Sequence, residues 1–327
     1  MRALIGLLML AAAGQAAVEG VVTNMTTGKP QAGVEVVLTT MGGGGMAPAG
    51  RAVTGADGKF RIDSGTESAH LLQAVWQGVS YNRSVTQGAA AVDIQVYDAL
   101  PRVSAVEIVQ HMILVETDGS EIVVNETLVY QNDSLTTWND PKGGAVKVFV
   151  PAAAGENVRA RVMAPGGVPV ERQPRQAGAA GVWTLDAPVK PGETRFDFSY
   201  KVPVGEFAAL TTKILHDGQK ARLVVPDGIT AIGDGLKLLG VEPSINASVY
   251  EIGKPEFTVT LSGTGSLRAA APSGGEDDGS PRLQTIAPPG YERSWVYVLG
   301  LGGLILLLGF VSQYLKGAPE AGGKRRA

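Results

Sequence analysis

The chain contains no cysteine, so a disulfide, a thiolate metal ligand and a cysteine nucleophile are all excluded. Histidine is scarce. The three residues, His70, His111 and His216, are far apart, and none sits in a His-x-x-Glu or His-Glu-x-x-His pattern, which removes the usual zinc-hydrolase signatures. Net charge is small, -3 over 327 residues, and gives no electrostatic reason to expect nucleic acid as a partner. A Gly-x-Ser-x-Gly nucleophile elbow is missing. Gly263-Thr264-Gly265-Ser266 and the glycines from 42 to 45 lack the Gly-Lys-Ser/Thr of a phosphate loop. These absences point to a protein that is not an enzyme, with no cofactor and no bound metal.

What is present is a chain that is 44% hydrophobic, punctuated by 44 glycines and 19 prolines, with only 6% aromatics. That composition fits many short strands joined by turns. The two ends carry different signals. Met1-Arg2, an apolar run from Ala3 to Ala13 and the small residues Gly14 to Ala17 read as a secretory signal over 1–17, too short to span a bilayer. From Trp295 to Leu315 there is no charged residue, long enough for a transmembrane helix, which we place at 294–315. Tyr291, Trp295, Tyr297 and Tyr314 flank it as interface residues, and a basic tail, 316–327, favours the cytoplasmic side. The expected arrangement is a single-pass membrane protein whose N-terminal bulk lies outside the cytoplasm. Between fold and membrane, 266–293 is rich in Pro, Gly, Ala and Ser and has no helical or strand period. It reads as a flexible stalk with a reach of about 30 Å.

The expected fold class is mainly β, with two tandem β-sandwich regions, 18–99 and 100–265, followed by the C-terminal helix. In the first region, strand-like runs such as Val34 to Thr39, His70 to Trp76 and Val79 to Val85 alternate with turn signals at Thr27-Gly28-Lys29-Pro30, Asp57-Gly58 and Gln77-Gly78. The series Gly20-Val21-Val22, then Thr27 to Val36, then Thr54-Gly55-Ala56-Asp57-Gly58-Lys59-Phe60 resembles the carboxypeptidase regulatory-like domain. The likeness covers about a quarter of the chain. It implies a transthyretin-like sandwich and no peptidase activity, since the catalytic domain that accompanies this module elsewhere has no counterpart here. A related superfamily of sandwiches binds glycans through exposed aromatics. Trp76 and Tyr81 are the candidate ligand-binding residues on that reading, with Trp138 and Trp183 further along the chain, and core packing of Trp76 is the competing explanation.

The second region reads as an immunoglobulin-like or related sandwich, either single or divided into two sub-units near Pro203. Its strongest signal is a long hairpin, Val106 to Glu116 and Glu121 to Tyr130, turned at Asp118-Gly119-Ser120. The stretch Pro191 to Pro203 resembles, more loosely, the second domain of bacterial envelope proteins that carry the same first module. Carboxylates on these strands, Glu107, Glu116, Glu121 and Glu126, are expected to face solvent. His111 lies in an apolar run and is expected to be a hydrogen-bonded sheet residue. Five of the seven asparagines, Asn24, Asn82, Asn125, Asn132 and Asn246, begin Asn-x-Ser/Thr triplets, which β-turn composition accounts for. The function these observations favour is a non-enzymatic envelope protein that binds or scaffolds a protein partner with its sandwiches. A carbohydrate-binding surface module is the alternative, and a hydrolase ranks last.

Overall fold

The computed structural model describes residues 17–42, 45–63, 70–86, 91–205 and 208–267. The protein is mainly β, with its strands in several sheets around two separate cores. Almost all of the predicted signal, most of the stalk, the predicted membrane helix and the basic tail lie outside the described residues. Among the described residues no helix is long and apolar enough to cross a membrane.

The first region holds β1 (Ala17–Asn24), β2 (Lys29–Pro30), β3 (Glu35–Gly42), β4 (Gly45–Val53), β5 (Lys59–Asp63), β6 (His70–Trp76), β7 (Val79–Val85), β8 (Ile94–Val96) and β9 (Asp98–Leu100). One sheet runs β2-β1-β5, with β8 parallel on β1, and the other runs β4-β3-β6-β7. Alternation puts Val18 and Val22 on the same side of β1, and Val36 and Leu38 on the same side of β3. They meet Phe60, Ile62, Leu72 and Tyr81 in one core. The turns behave as their residues require. Gln77 and Gly78 both have positive φ, 48° and 77°, as a two-residue hairpin between β6 and β7 demands. Gly58 sits at φ 72°, where an added Cβ would meet Pro30 Cβ at 2.7 Å and the Val22 carbonyl at 2.8 Å. The Lys29-Pro30 and Asp57-Gly58 turns therefore pack on one another, and only glycine fits between them.

The second region holds β10 (Val106–Thr117), β11 (Glu121–Asn132), β12 (Thr136–Trp138), β13 (Val146–Phe149), β14 (Arg159–Met163), β15 (Val170–Arg172), β16 (Arg175–Gln176) and β17 (Val182–Leu185). It continues with β18 (Gly192–Pro203), β19 (Ala208–Lys213), β20 (Arg222–Pro226), β21 (Ile229–Ile232), β22 (Leu236–Glu242), β23 (Ala247–Ile252) and β24 (Glu256–Gly263). An eight-stranded sheet, β15-β14-β18-β11-β10-β20-β23-β22, shares its core with two three-stranded sheets, β13-β17-β16 and β19-β24-β21. The core face of β18 carries Phe196, Phe198 and Tyr200, each essentially inaccessible to water. Each such side chain contributes roughly 1.5–3 kcal/mol on burial. The division near Pro203 is not found: one core takes residues from both sides of it, Phe196 and Val202 with Leu210, Leu223 and Phe257.

The opposite face of the large sheet carries a row of charges in register. From β15 inward it reads Glu171, Arg161, Asp197 and Thr127. From β10 outward it reads Met112, Arg222, Glu251 and Lys237. Opposite charges stand side by side at both ends of the row, as cross-strand pairing favours.

The two regions are joined through β9, which pairs in parallel with β12. Tyr81 reaches across the joint: its hydroxyl lies 2.9 Å from Thr137 Oγ1 and donates to the Tyr97 carbonyl at 2.9 Å. Lys190 donates to the Ser80 carbonyl and stands 4.9 Å over the Tyr81 ring. Burial at this joint pushes the Lys190 ammonium down to about 8 and the Tyr81 phenol up to about 12.

Candidate functional site: a cleft over paired histidines and an open sheet edge

The β10–β11 hairpin forms because both arms alternate apolar and polar residues around Asp118, whose carboxylate accepts from the backbone of Ser120 and Glu121. A bulge at Val109 breaks the ladder between Ile108 and Gln110. It leaves Val109 exposed and turns His111 inward, where His111 is 2% exposed. Glu126 on β11 lies on the same inner face between Val124 and Leu128 and is also 2% exposed. The expectation that it faces solvent is therefore corrected. A carboxylate tolerates that depth only with a partner, and His111 Nε2 stands 2.8 Å from Glu126 Oε1.

The second histidine arrives from 105 residues away. His216, in the segment between β19 and β20, places Nε2 2.8 Å from His111 Nδ1. The Gly218 N–H donates to His216 Nδ1 at 3.2 Å, and that amide assigns the whole chain. His216 Nδ1 must accept, so its Nε2–H donates to His111 Nδ1. The His111 Nε2–H then donates to Glu126. Both rings are neutral in this arrangement, and burial, with His111 as the next cause, holds His216 down to about 4. All four ring nitrogens are engaged. The chain ties the 214–221 segment to the inner sheet and presents no free imidazole nitrogen to a substrate.

Above it opens a cleft of about 750 Å³, lined by His216, Tyr130, Trp138, Arg102, Glu107, Asp140 and Lys147, among others. Trp138 is half-buried and donates its Nε1–H to the Pro101 carbonyl at 2.9 Å. Among the described residues no group of three His, Asp or Glu side chains is arranged to hold a metal ion.

The predicted ligand aromatics fall elsewhere. Tyr81 is 5% exposed; its ring packs in the first core and its hydroxyl is committed at the joint, so its expected role as an exposed platform is corrected. Trp76 is half-buried against the same core and donates Nε1–H to Asp98 at 3.0 Å. Trp183 is 6% exposed in the second core. Of the triplet asparagines, Asn24 and Asn132 are buried. The Asn24 amide donates to Gln31 and Asp98, and that of Asn132 to the Thr136 and Val189 carbonyls.

Sequence reasoning missed β22, the outer strand of the eight-stranded sheet. Among the described residues only one of its two sides is paired, with β23. A bulge between Leu238 and Gly240 leaves Leu239 as the extra residue. Leu238 and Val241 fall on the core side of the sheet, paired with Tyr250 and Ser248, yet they are 56% and 59% exposed. Leu239 and Ile245 extend the apolar surface.

No protein family matches the chain, and no curated protein is detectably similar to it.

Proposed function

We propose that this is a non-enzymatic, single-pass envelope protein whose β-regions stand outside the cytoplasm and bind a protein partner at the β22 edge. The observation that carries the reading is that edge: a strand with one backbone side unpaired among the described residues, flanked by exposed Leu238, Leu239 and Val241. Exposed apolar edges are templates for an added strand, in which main-chain hydrogen bonds give affinity and alternate side chains give specificity. Every imidazole nitrogen of the Glu126–His111–His216 chain is engaged, which supports the non-enzymatic reading, because a histidine acting as general base needs a ring nitrogen free to take a proton. The signal at 1–17 and the apolar helix at 294–315 supply export and anchoring. The first region takes the transthyretin-like role that its turn motifs suggest, and the second an immunoglobulin-like one.

Affinity capture of the full chain from membranes in mild detergent tests the docking claim. Wild type should retain a partner that Leu238→Lys/Val241→Lys loses while keeping its unfolding midpoint. Identical capture by both forms would sink it. Topology is tested separately: protease added outside sealed cells should digest the β-regions and spare an epitope placed after Arg326.

A further inference from the structure

We propose that the strand which pairs with β22 is β22 of a second copy, running antiparallel across a two-fold axis perpendicular to the sheet between Leu239 and Gly240. The proposal rests on the reading of β22 as a docking edge and names its occupant.

The charge row across the outer face ends Arg222, Glu251, Lys237. Its next place calls for a carboxylate. Glu251 is already bridged by Lys220 at 2.7 Å, and no ion pair to Lys237 is found among the described residues. Further along the same face of β22 stands Glu242, opposite Ala247; it calls for a cation. Ser244 occupies only its Oε1, at 2.8 Å. On the other face Leu238 and Val241 call for apolar partners. The strand required must therefore present an acid, two apolar residues and a base, at the spacing of Lys237, Leu238, Val241 and Glu242.

Reversed, β22 meets each demand. Lys237 falls opposite Glu242 of the second copy, and Leu238 opposite Val241, each pair occurring twice by symmetry. Such self-complementarity is what a two-fold interface requires. The bulge decides against an ordinary strand. A straight partner loses step at Leu239, whereas two bulges facing each other keep the ladder in step on both sides. The ladder is short and by itself falls below the ~1,200 Å² of a stable interface, so the dimer is expected to depend on concentration.

Because the chain has no cysteine, single cysteines report the register cleanly. Full-length Leu238→Cys and Val241→Cys forms, differently tagged, are mixed in detergent and oxidised. The mixture should cross-link several-fold more than either form alone, since each form's own cysteines lie three residues out of step. In sedimentation, Lys237→Glu and Glu242→Lys should each weaken the dimer by about tenfold, and the double exchange should restore it. A monomer at every concentration with no mixed cross-link overturns the proposal, as does a dimer indifferent to both charge reversals. If another protein is still captured through β22 while the mixture fails to cross-link, the proposal falls and the docking reading stands. If Leu238→Lys/Val241→Lys alters neither the sedimentation nor the capture, the docking reading itself falls.

Discussion

Acid should loosen this protein through His216 before it protonates most carboxylates. The imidazole is held down to about 4 from its ordinary 6.5, first by burial and next by His111 against it, with Asp217 pulling the other way. Between those two values the unfolded chain binds the proton and the fold refuses it. Stability contributed by His216 is therefore complete above about pH 6.5 and lost progressively as pH falls toward about 4. A shift of that size corresponds to roughly 3 kcal/mol. His216 is only half-buried, so screening reduces the expected loss to about 1–2 kcal/mol. The assay is urea unfolding of the full chain in detergent, followed by tryptophan fluorescence at about pH 7 and about pH 4.5. Carboxylates contribute to both wild type and His216→Asn, so the difference between their two losses isolates the imidazole. Wild type should lose about 1–2 kcal/mol more than the variant over that interval. Equal losses would refute the reasoning, since they would mean that His216 costs nothing to charge in the fold.

Two further outcomes follow from the same contacts. Glu126→Leu strands the His111 N–H inside the sheet and should cost about 1–3 kcal/mol, most of which His111→Leu/Glu126→Leu should return, because the stranded N–H is then gone and His216, which lines the cleft, can give its own N–H to water; strictly additive losses in a denaturation series would contradict the pairing. At the joint between regions, Thr137→Val should cost about 1 kcal/mol and Tyr81→Phe more, because it also strands the Tyr97 carbonyl, and the double variant should cost little more than Tyr81→Phe alone, since both remove the Tyr81–Thr137 hydrogen bond. Unchanged midpoints in all three would show that the contact at 2.9 Å adds nothing.

The strands that alternate cleanly were legible in the sequence. β6, β7 and β17 fall where their apolar and aromatic runs place them, and the β10–β11 hairpin needed only its alternation and its Asp-Gly turn. β22 was hidden for the reason that makes it distinctive. The bulge sets Leu238 and Leu239 side by side and Gly240 after them, which erases the period of two. β19 escaped because two of its inward or half-inward places are filled by Thr212 and Ala208. Glu126 did leave a signal: it shares a face with Ile122, Val124, Leu128 and Tyr130, so a buried hairpin face buries it too. His216 left none, because its position is decided by a histidine a hundred residues earlier and by the amide of Gly218. The candidate site was thus assembled from one residue with a readable pattern and one without.

The parallel pairing of β10 with β20 has a consequence for how the chain is made. Met112 and Arg222 meet across about 110 residues, and closing such a loop is slow because its entropy is lost before the pairing stabilises anything. A chain emerging N-terminus first completes β10, β11, β14 and β18 while the far side of β10 still lacks its neighbour. During that interval the edge carrying Ile113, Leu114 and Val115 is open to aggregation. The lifetime of the half-built sheet, governed by how soon residue 222 arrives, sets how much of this protein survives its own synthesis.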